Sequence, residues 1–424
     1  MKKLFALIFL VSTLSFSQTK VSGIILDDAN QPVSYATIAF KNSAEGVIAD
    51  ENGKFYLESK KTYTTLAVSF VGYKDKEIEL SGEHNYDLKI VLANSNEIAE
   101  VKIYGGKTSK KNNPAIDILR KIWERKKKNG LRQFNHYQYD KYEKIEFDIN
   151  SIDSAFMKNK IFKNVEFIFQ HVDTSAITGK NFLPIFINET MSKVYGDNEK
   201  SRTKDVLQAN KYSGFGNANN DGVNAFLKDL YADYDIYNNY LKFFDKDFVS
   251  PLSRTGIQVY NYVLADSTFI DKKWCYNIVY YPRRKNELTF KGDFWVNDST
   301  FAIKSINMEA SKSANINWVR DIYIEQEFDV LNDSVFLLKR DHMMTDFALT
   351  KKEGSNGMYG KRTTMFKNHE FNQPKDDKFY REDVNKFDKE IYTKTDEYWD
   401  ENRFDSLNSN EKGIYEMLDT LKTV

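Results

Sequence analysis

Residues 46–59 read GVIADENGKFYLES. Asn52-Gly53 stands between an apolar run and a segment in which Phe55 and Leu57 alternate with polar residues. Both turn residues tolerate positive φ, so the pair predicts a hairpin. Asp50 suits a turn cap, since Asp side chains bond their own backbone. A metal ligand is the other chemistry open to it. Outward from this turn, Val21, Ile24 and Leu26 lead into a turn cluster at residues 27–32. Ala36–Phe40 and then Leu66, Val68 and Phe70 repeat the strand pattern, closed by Val71-Gly72-Tyr73. Short strands between turn signals, roughly every eight to twelve residues, predict a small all-β sandwich.

The run VSGIILDDANQPVSYATI, GVIADENGKFYL and LAVSFVGY resembles the carboxypeptidase-regulatory-like domain over about residues 20–92. The resemblance implies a transthyretin/Ig-like β-sandwich acting as an accessory module, not a zinc peptidase. No H-x-x-E or H-E-x-x-H spacing occurs in the chain. Asn30 stands where the family has Gly, and Ala49 where it has Thr or Ser. The same sandwich resembles the N-terminal extension of TonB-dependent outer-membrane transporters, which implies a Gram-negative envelope setting.

At 424 residues the chain predicts two or three domains. Hydrophobic residues are 41% and aromatics 15%, a composition suited to half-buried sheets. Lys plus Arg and Asp plus Glu are 61 each, and this neutral balance argues against a nucleic-acid partner. MKKLFALIFLVSTLSFSQ opens with Lys2 and Lys3, continues with an apolar Leu4–Val11 and offers Ser15 and Ser17 before Gln18. That is the pattern of a secretory signal peptide, residues 1–17. The single Cys275 lies in an apolar strand pattern and reads as a buried, inert thiol.

Beyond a sandwich assigned to residues 18–93, residues 94–135 read as a linker and a basic amphipathic helix. Asn113 caps it, Pro114 starts it, and Ala115, Ile118, Leu119 and Ile122 share one face. Arg125–Lys128 form its cationic end, read as a solvated terminus or a contact to acidic lipid. Residues 136–370 read as an α+β domain with a long antiparallel meander sheet, giving a mainly β protein with some α. In His136–Ile149, Tyr137, Tyr139, Ile145, Phe147 and Ile149 share a face, and Ile185–Gly196 is a further strand. Helices are expected at Ser201–Tyr212 and Val223–Tyr234. Between them Asn217, Asn219, Asp221 and Gly222 imitate a calcium loop, but Lys228 stands where a bidentate Glu is required. Asp-Ser pairs begin at 266, 298 and 333 and are expected to mark tight turns between long strands. Residues 371–424 read as a charged aromatic tail, with Asp376–Asp405 either solvated or a connecting, partner-docking segment.

The meander resembles the curved sheet of the periplasmic lipoprotein-carrier fold in architecture. NPAIDILRKIWERKKKN, PIFINETMSKVYG, FWVNDSTFAIKSI and NEKGIYEMLDTLKTV resemble an uncharacterised bacterial envelope family, in which a carboxypeptidase-regulatory-like domain precedes a domain of unknown function. Members of that family often continue into an outer-membrane β-barrel, whose alternating strands are not expected within these residues. His84, His136, His171, His342 and His369 show no metal-ligand spacing, and G-x-S-x-G and P-loop motifs are absent. His342 has Asp341 and Asp346 nearby in sequence. Arg283-Arg284 reads as a solvated turn or an anion contact. The expectation is therefore no catalytic, cofactor or metal residue and no cofactor. The expected role is non-catalytic: interaction or assembly at the periplasmic face of the outer membrane, with an outer-membrane or periplasmic protein partner. Binding of a lipid or glycan in a concave sheet is the alternative. A hydrolase with a dispersed site is the third reading, and it calls for His342 or His136 beside two carboxylates in a cleft.

Overall fold

The computed structural model describes residues 19–93, 112–214, 233–310, 319–331, 335–348, 356–382 and 388–421, with short gaps at 28–29, 34–35, 42, 44, 51, 71–72, 75, 83, 286, 406 and 408. Its described residues fall into two compact units, one within 1–100 with 267–275, the other within 101–266 with 276–424. The signal-peptide residues, the calcium-loop imitation, Val71-Gly72 and all but the last two residues of the expected Val223–Tyr234 helix lie outside the described residues.

The first unit has seven strands: β1 (Thr19–Asp27), β2 (Thr37–Phe40), β3 (Gly46–Ile48), β4 (Lys54–Ser59), β5 (Thr65–Ser69), β6 (Lys76–Glu79) and β7 (His84–Leu92). They form a three-stranded sheet, β4-β1-β7, and a four-stranded sheet, β3-β2-β5-β6. One core of residues such as Val21, Ile25, Ile38, Phe40, Phe55, Leu57, Leu66 and Val68 joins the two sheets. The unit is thus a β-sandwich. The Asn52-Gly53 turn does not pair its flanking strands in one sheet. It carries the chain from β3 to β4, which belong to different sheets. Gly53 takes φ +71, and a Cβ there would stand 2.5 Å from the Ile25 carbonyl oxygen, so glycine is required by both conformation and close approach. Asn52 keeps negative φ. Asp50 Oδ1 accepts the N–H groups of Asn52 at 2.9 Å and Lys54 at 2.8 Å, which is the turn-capping role.

The second unit is built on one large sheet in the order β11-β10-β8-β20-β19-β18-β17-β16-β15-β14. Its strands are β8 (His136–Asn150), β10 (Asn181–Asp197), β11 (Arg202–Gly214), β14 (Tyr260–Ile270), β15 (Lys273–Pro282), β16 (Phe290–Asn297), β17 (Ile303–Ala310), β18 (Val319–Leu331), β19 (Val335–Ala348) and β20 (Gly357–Phe371). The short β9 (Asp173–Thr174) pairs with β10 off this path. β14 to β20 form the expected meander, and β8 returns to lie antiparallel beside β20. Ser201–Tyr212 is strand, not helix. Val206, Leu207 and Ala209 fit a helical stripe by spacing, yet the segment pairs with β10 from Arg202 to Gly214. Tertiary pairing overrides the local pattern. Asp266-Ser267 is also not a turn. β14 runs on through it, and the reversal falls at Asp271-Lys272, with φ of 47° and 64°. Asp298-Ser299 does mark a turn, with the Asn297 side chain accepting from Ser299 and Thr300. Residues 332–334 lie outside the described residues.

One face of the sheet is apolar and is filled by the chain itself. The Pro114–Arg125 helix starts as expected: the Asn113 carboxamide accepts the Ala115 N–H at 3.0 Å. Its Ala115, Ile118, Leu119 and Ile122 are buried against Ile145, Phe147, Ile278, Phe294, Ile306 and Ile324 of the sheet. Trp123 donates its indole N–H to the Leu252 carbonyl at 2.9 Å. A hairpin of β12 (Tyr240–Phe243) and β13 (Lys246–Val249) adds Leu241, Phe243 and Phe248 to the same core.

Residues 371–424 are folded onto this unit. Short helices at Asp377–Arg381, Lys389–Tyr392 and Asp396–Asn402 precede a longer one at Ser409–Leu421. Trp399 is fully buried with Tyr142, Met191 and Ala209. Since Leu119 is fully buried in the helix–sheet core, Leu119→Ala is expected to destabilise this unit by about 2–5 kcal/mol. Urea unfolding followed by tryptophan fluorescence measures it, and a loss below about 1 kcal/mol would mean the helix is not packed as described.

Candidate functional site

The second face of the large sheet carries the polar chemistry. Antiparallel register aligns Lys211, Glu189, Lys144, Thr363, His342, Glu325, Asn307 and Asp293 in one row across β11, β10, β8, β20, β19, β18, β17 and β16. Such directly opposed side chains interact as pairs. Asp293 accepts from Asn277 at 2.7 Å and from Asn307 at 3.1 Å. Lys144 pairs with Glu411 of the last helix. Two residues along, a second row sets Glu146 beside Lys361, and a third sets Asp148, Tyr359 and Asp346 together.

His342 lies in this row with its Nδ1 2.9 Å from Thr363 Oγ1. Its sequence neighbour Asp341 projects to the opposite face, where Arg362 donates to it at 2.8 Å. Asp346 stays on the same face but is held by Asn150 at 2.9 Å and by Lys180 at 2.5 Å. Burial, with Arg340, Lys361 and Lys144 nearby, pushes the His342 pKa down to about 3. A base that weak accepts protons poorly near neutrality. Asp148 is buried beside Lys361, 2.6 Å away, and desolvation still pushes it up to about 6.

The tail is tied down at Glu189, a fully buried carboxylate. Arg403 donates to it from Nε at 2.8 Å and Nη2 at 3.0 Å. The hydroxyls of Tyr142, at 2.6 Å, and Tyr415, at 2.5 Å, donate as well. Burial raises the Glu189 pKa, and these donors more than offset it, so the group sits below its ordinary range. No local motif marks this cluster, because Tyr142, Arg403 and Tyr415 are 47, 214 and 226 residues from Glu189 in sequence.

His136 does stand beside two carboxylates. Its Nε2 is 3.7 Å from Asp197 Oδ1, and ligand atoms of His136, Asp197 and Glu199 lie within 4.8 Å of one another. The remaining sequence candidates are engaged in the fold. Arg283 donates to the Tyr260 carbonyl at 2.6 Å, and Arg284 pairs with Glu287 at 2.9 Å. Cys275 is buried.

Two outcomes follow. Arg403→Ala leaves Glu189 buried without its cation and is expected to cost about 3–5 kcal/mol in denaturant unfolding, while Glu189→Leu with Arg403→Met restores most of it. Between pH 6.5 and 3 the unfolded His342 imidazole binds a proton that the folded one does not. Stability therefore rises with pH across that window, by up to about 1.4 kcal/mol per pH unit. His342→Gln is expected to flatten the slope measured between pH 4 and 6.5, and an unchanged slope would show that His342 is not the group responsible.

Comparison with known proteins gives the chain its relatives. A model of the CarboxypepD_reg-like domain matches residues 21–103. The TonB-dependent receptor SusC of Bacteroides thetaiotaomicron is 33% identical over 117 residues, 27% of this chain and 11% of the receptor. The chain thus spans a small part of that relative's length. Among solved structures, a DUF1329 family protein from Desulfovibrio piger aligns with 63% of this chain and 98% of its own, at 9% identity and a TM-score of 0.27. A putative outer membrane lipoprotein-sorting protein domain from Vibrio parahaemolyticus aligns with 63% and 97%, at 9% identity and a TM-score of 0.24. Residues 118–367, more than half of the chain, match the model of a family of unknown function, DUF5686, and the protein belongs to that family.

Proposed function

We propose that the protein is a non-catalytic module of the cell envelope that docks or helps assemble a protein partner at the periplasmic face of the outer membrane. The observation that carries this reading is the occupied apolar face of the large sheet. Leu119, Ile122, Phe243 and Phe248 fill it from the chain's own helix and hairpin. An acyl-chain or glycan carrier would need that face open, lined but not packed. The N-terminal sandwich supports the envelope setting, because the chain is similar over 117 residues to a TonB-dependent receptor.

Docking then falls to surfaces outside the two packed faces. The strand β6 closes one side of the four-stranded sheet and carries the polar sequence KEIE. On the three-stranded sheet Tyr56 and Tyr86 are about half exposed. Edge strands and exposed aromatic rings are common contacts for a partner strand or loop.

Fractionation of native cells with an antibody to the middle region, after crosslinking, tests the reading. The expected result is a crosslinked species of higher mass in the outer-membrane fraction. A soluble periplasmic protein that co-purifies with lipid, detected by mass spectrometry, would replace this reading with the carrier alternative.

A further inference from the structure

We infer that His136, Asp197 and Glu199 form a binding site for a first-row divalent cation of the zinc type. His136 opens β8 and Asp197 closes β10, and the two are direct partners across the strands. Their side chains therefore meet on one face by register. The 3.7 Å between His136 Nε2 and Asp197 Oδ1 is too long for a hydrogen bond. It is close to the separation of about 3.4 Å between two ligands of a tetrahedral zinc ion, given metal–ligand bonds near 2.0–2.2 Å. Glu199 completes the set from the turn after β10, with all three ligand atoms within 4.8 Å. A rotation of its flexible side chain brings the carboxylate to bonding distance.

The surroundings hold these groups in place from outside. Asp197 Oδ2 accepts from Arg202 at 3.0 Å, which leaves Oδ1 facing His136 with one backbone bond from Lys200 at 3.1 Å. Asn135 donates to Glu199 Oε1 at 2.6 Å, which leaves Oε2 for a ligand. Asn198 fixes the turn itself, bonding the carbonyls of Leu131 at 2.9 Å and Phe134 at 2.7 Å. Ligating carboxylates that are themselves hydrogen-bonded from outside are a usual feature of a metal site. One imidazole nitrogen with two carboxylates suits zinc, cobalt or copper. Calcium and magnesium prefer all-oxygen sets with more ligands.

The test uses the untagged full chain stripped with EDTA. Titration with Co2+ is expected to give the visible absorption of one tetrahedral ion per chain, displaced by Zn2+ and not by Ca2+ or Mg2+. His136→Gln and Glu199→Gln are each expected to weaken binding by at least about tenfold. Zinc at 100 times its Kd is expected to raise the Tm of the wild-type chain by roughly 5 °C or more, and of neither variant. Absence of saturable absorption, equal affinity in the variants, or displacement by Ca2+ would each overturn the assignment. Unfolding in EDTA checks that both variants fold. Glu199 lies exposed in a turn, so its variant carries the test if His136→Gln does not fold.

Discussion

A long antiparallel sheet presents two faces and two edges, and each needs a separate physical solution. In this protein the apolar face is covered by the Pro114–Arg125 helix and the β12–β13 hairpin. The second face cannot be treated the same way, because its rows are charged. It is instead neutralised internally, with opposite charges set on neighbouring strands and a buried Glu189 receiving three donors. At the β11 edge the tail supplies cover, with Lys204 donating to the carbonyls of Phe379 and Glu382. An unpaired edge of that length would otherwise invite a second chain.

The charged face also fixes the setting of the chemistry-bearing residues. His342 has a hydroxyl partner and carboxylates near it in sequence, which would suit a catalytic group. Strand alternation sends Asp341 to the other face, and burial keeps the imidazole neutral. Lys361 lies 2.6 Å from Asp148 on the same face, in the neighbouring rows.

Much of this was legible in residue order. The sandwich strands, the Asn113 cap, the strands of the meander and the shared face of Ile145 and Phe147 follow from short-range periodicity and turn chemistry, whereas Ile149 packs apart from them with Leu183 and Ile187. The misreadings have one cause. Ser201–Tyr212 has a helical stripe by spacing, and only its pairing with β10 makes it a strand. At Asp266-Ser267 the turn-forming residues are present, but the strand continues to the next pair able to adopt left-handed φ. The Glu189–Arg403 cluster was out of reach because Arg403 and Tyr415 come from the C-terminal helices, and the His136–Asp197 contact because it arises only through the register of two strands.

The position of β8 has a consequence for how the chain is made. Asp148 of β8 lies beside Tyr359 of β20, more than two hundred residues later. β8 and β10 can pair early, but one side of β8 has no neighbour until β20 has been synthesised. The intervening meander can assemble locally, hairpin by hairpin, and then must be joined to the waiting pair. Such distant closure is slow, because the loop entropy is lost before the contacts form. During that interval the open side of β8 is a strand edge able to capture other chains. The sheet is therefore most vulnerable while the chain is only partly made, and a holding chaperone would be of most use at that stage.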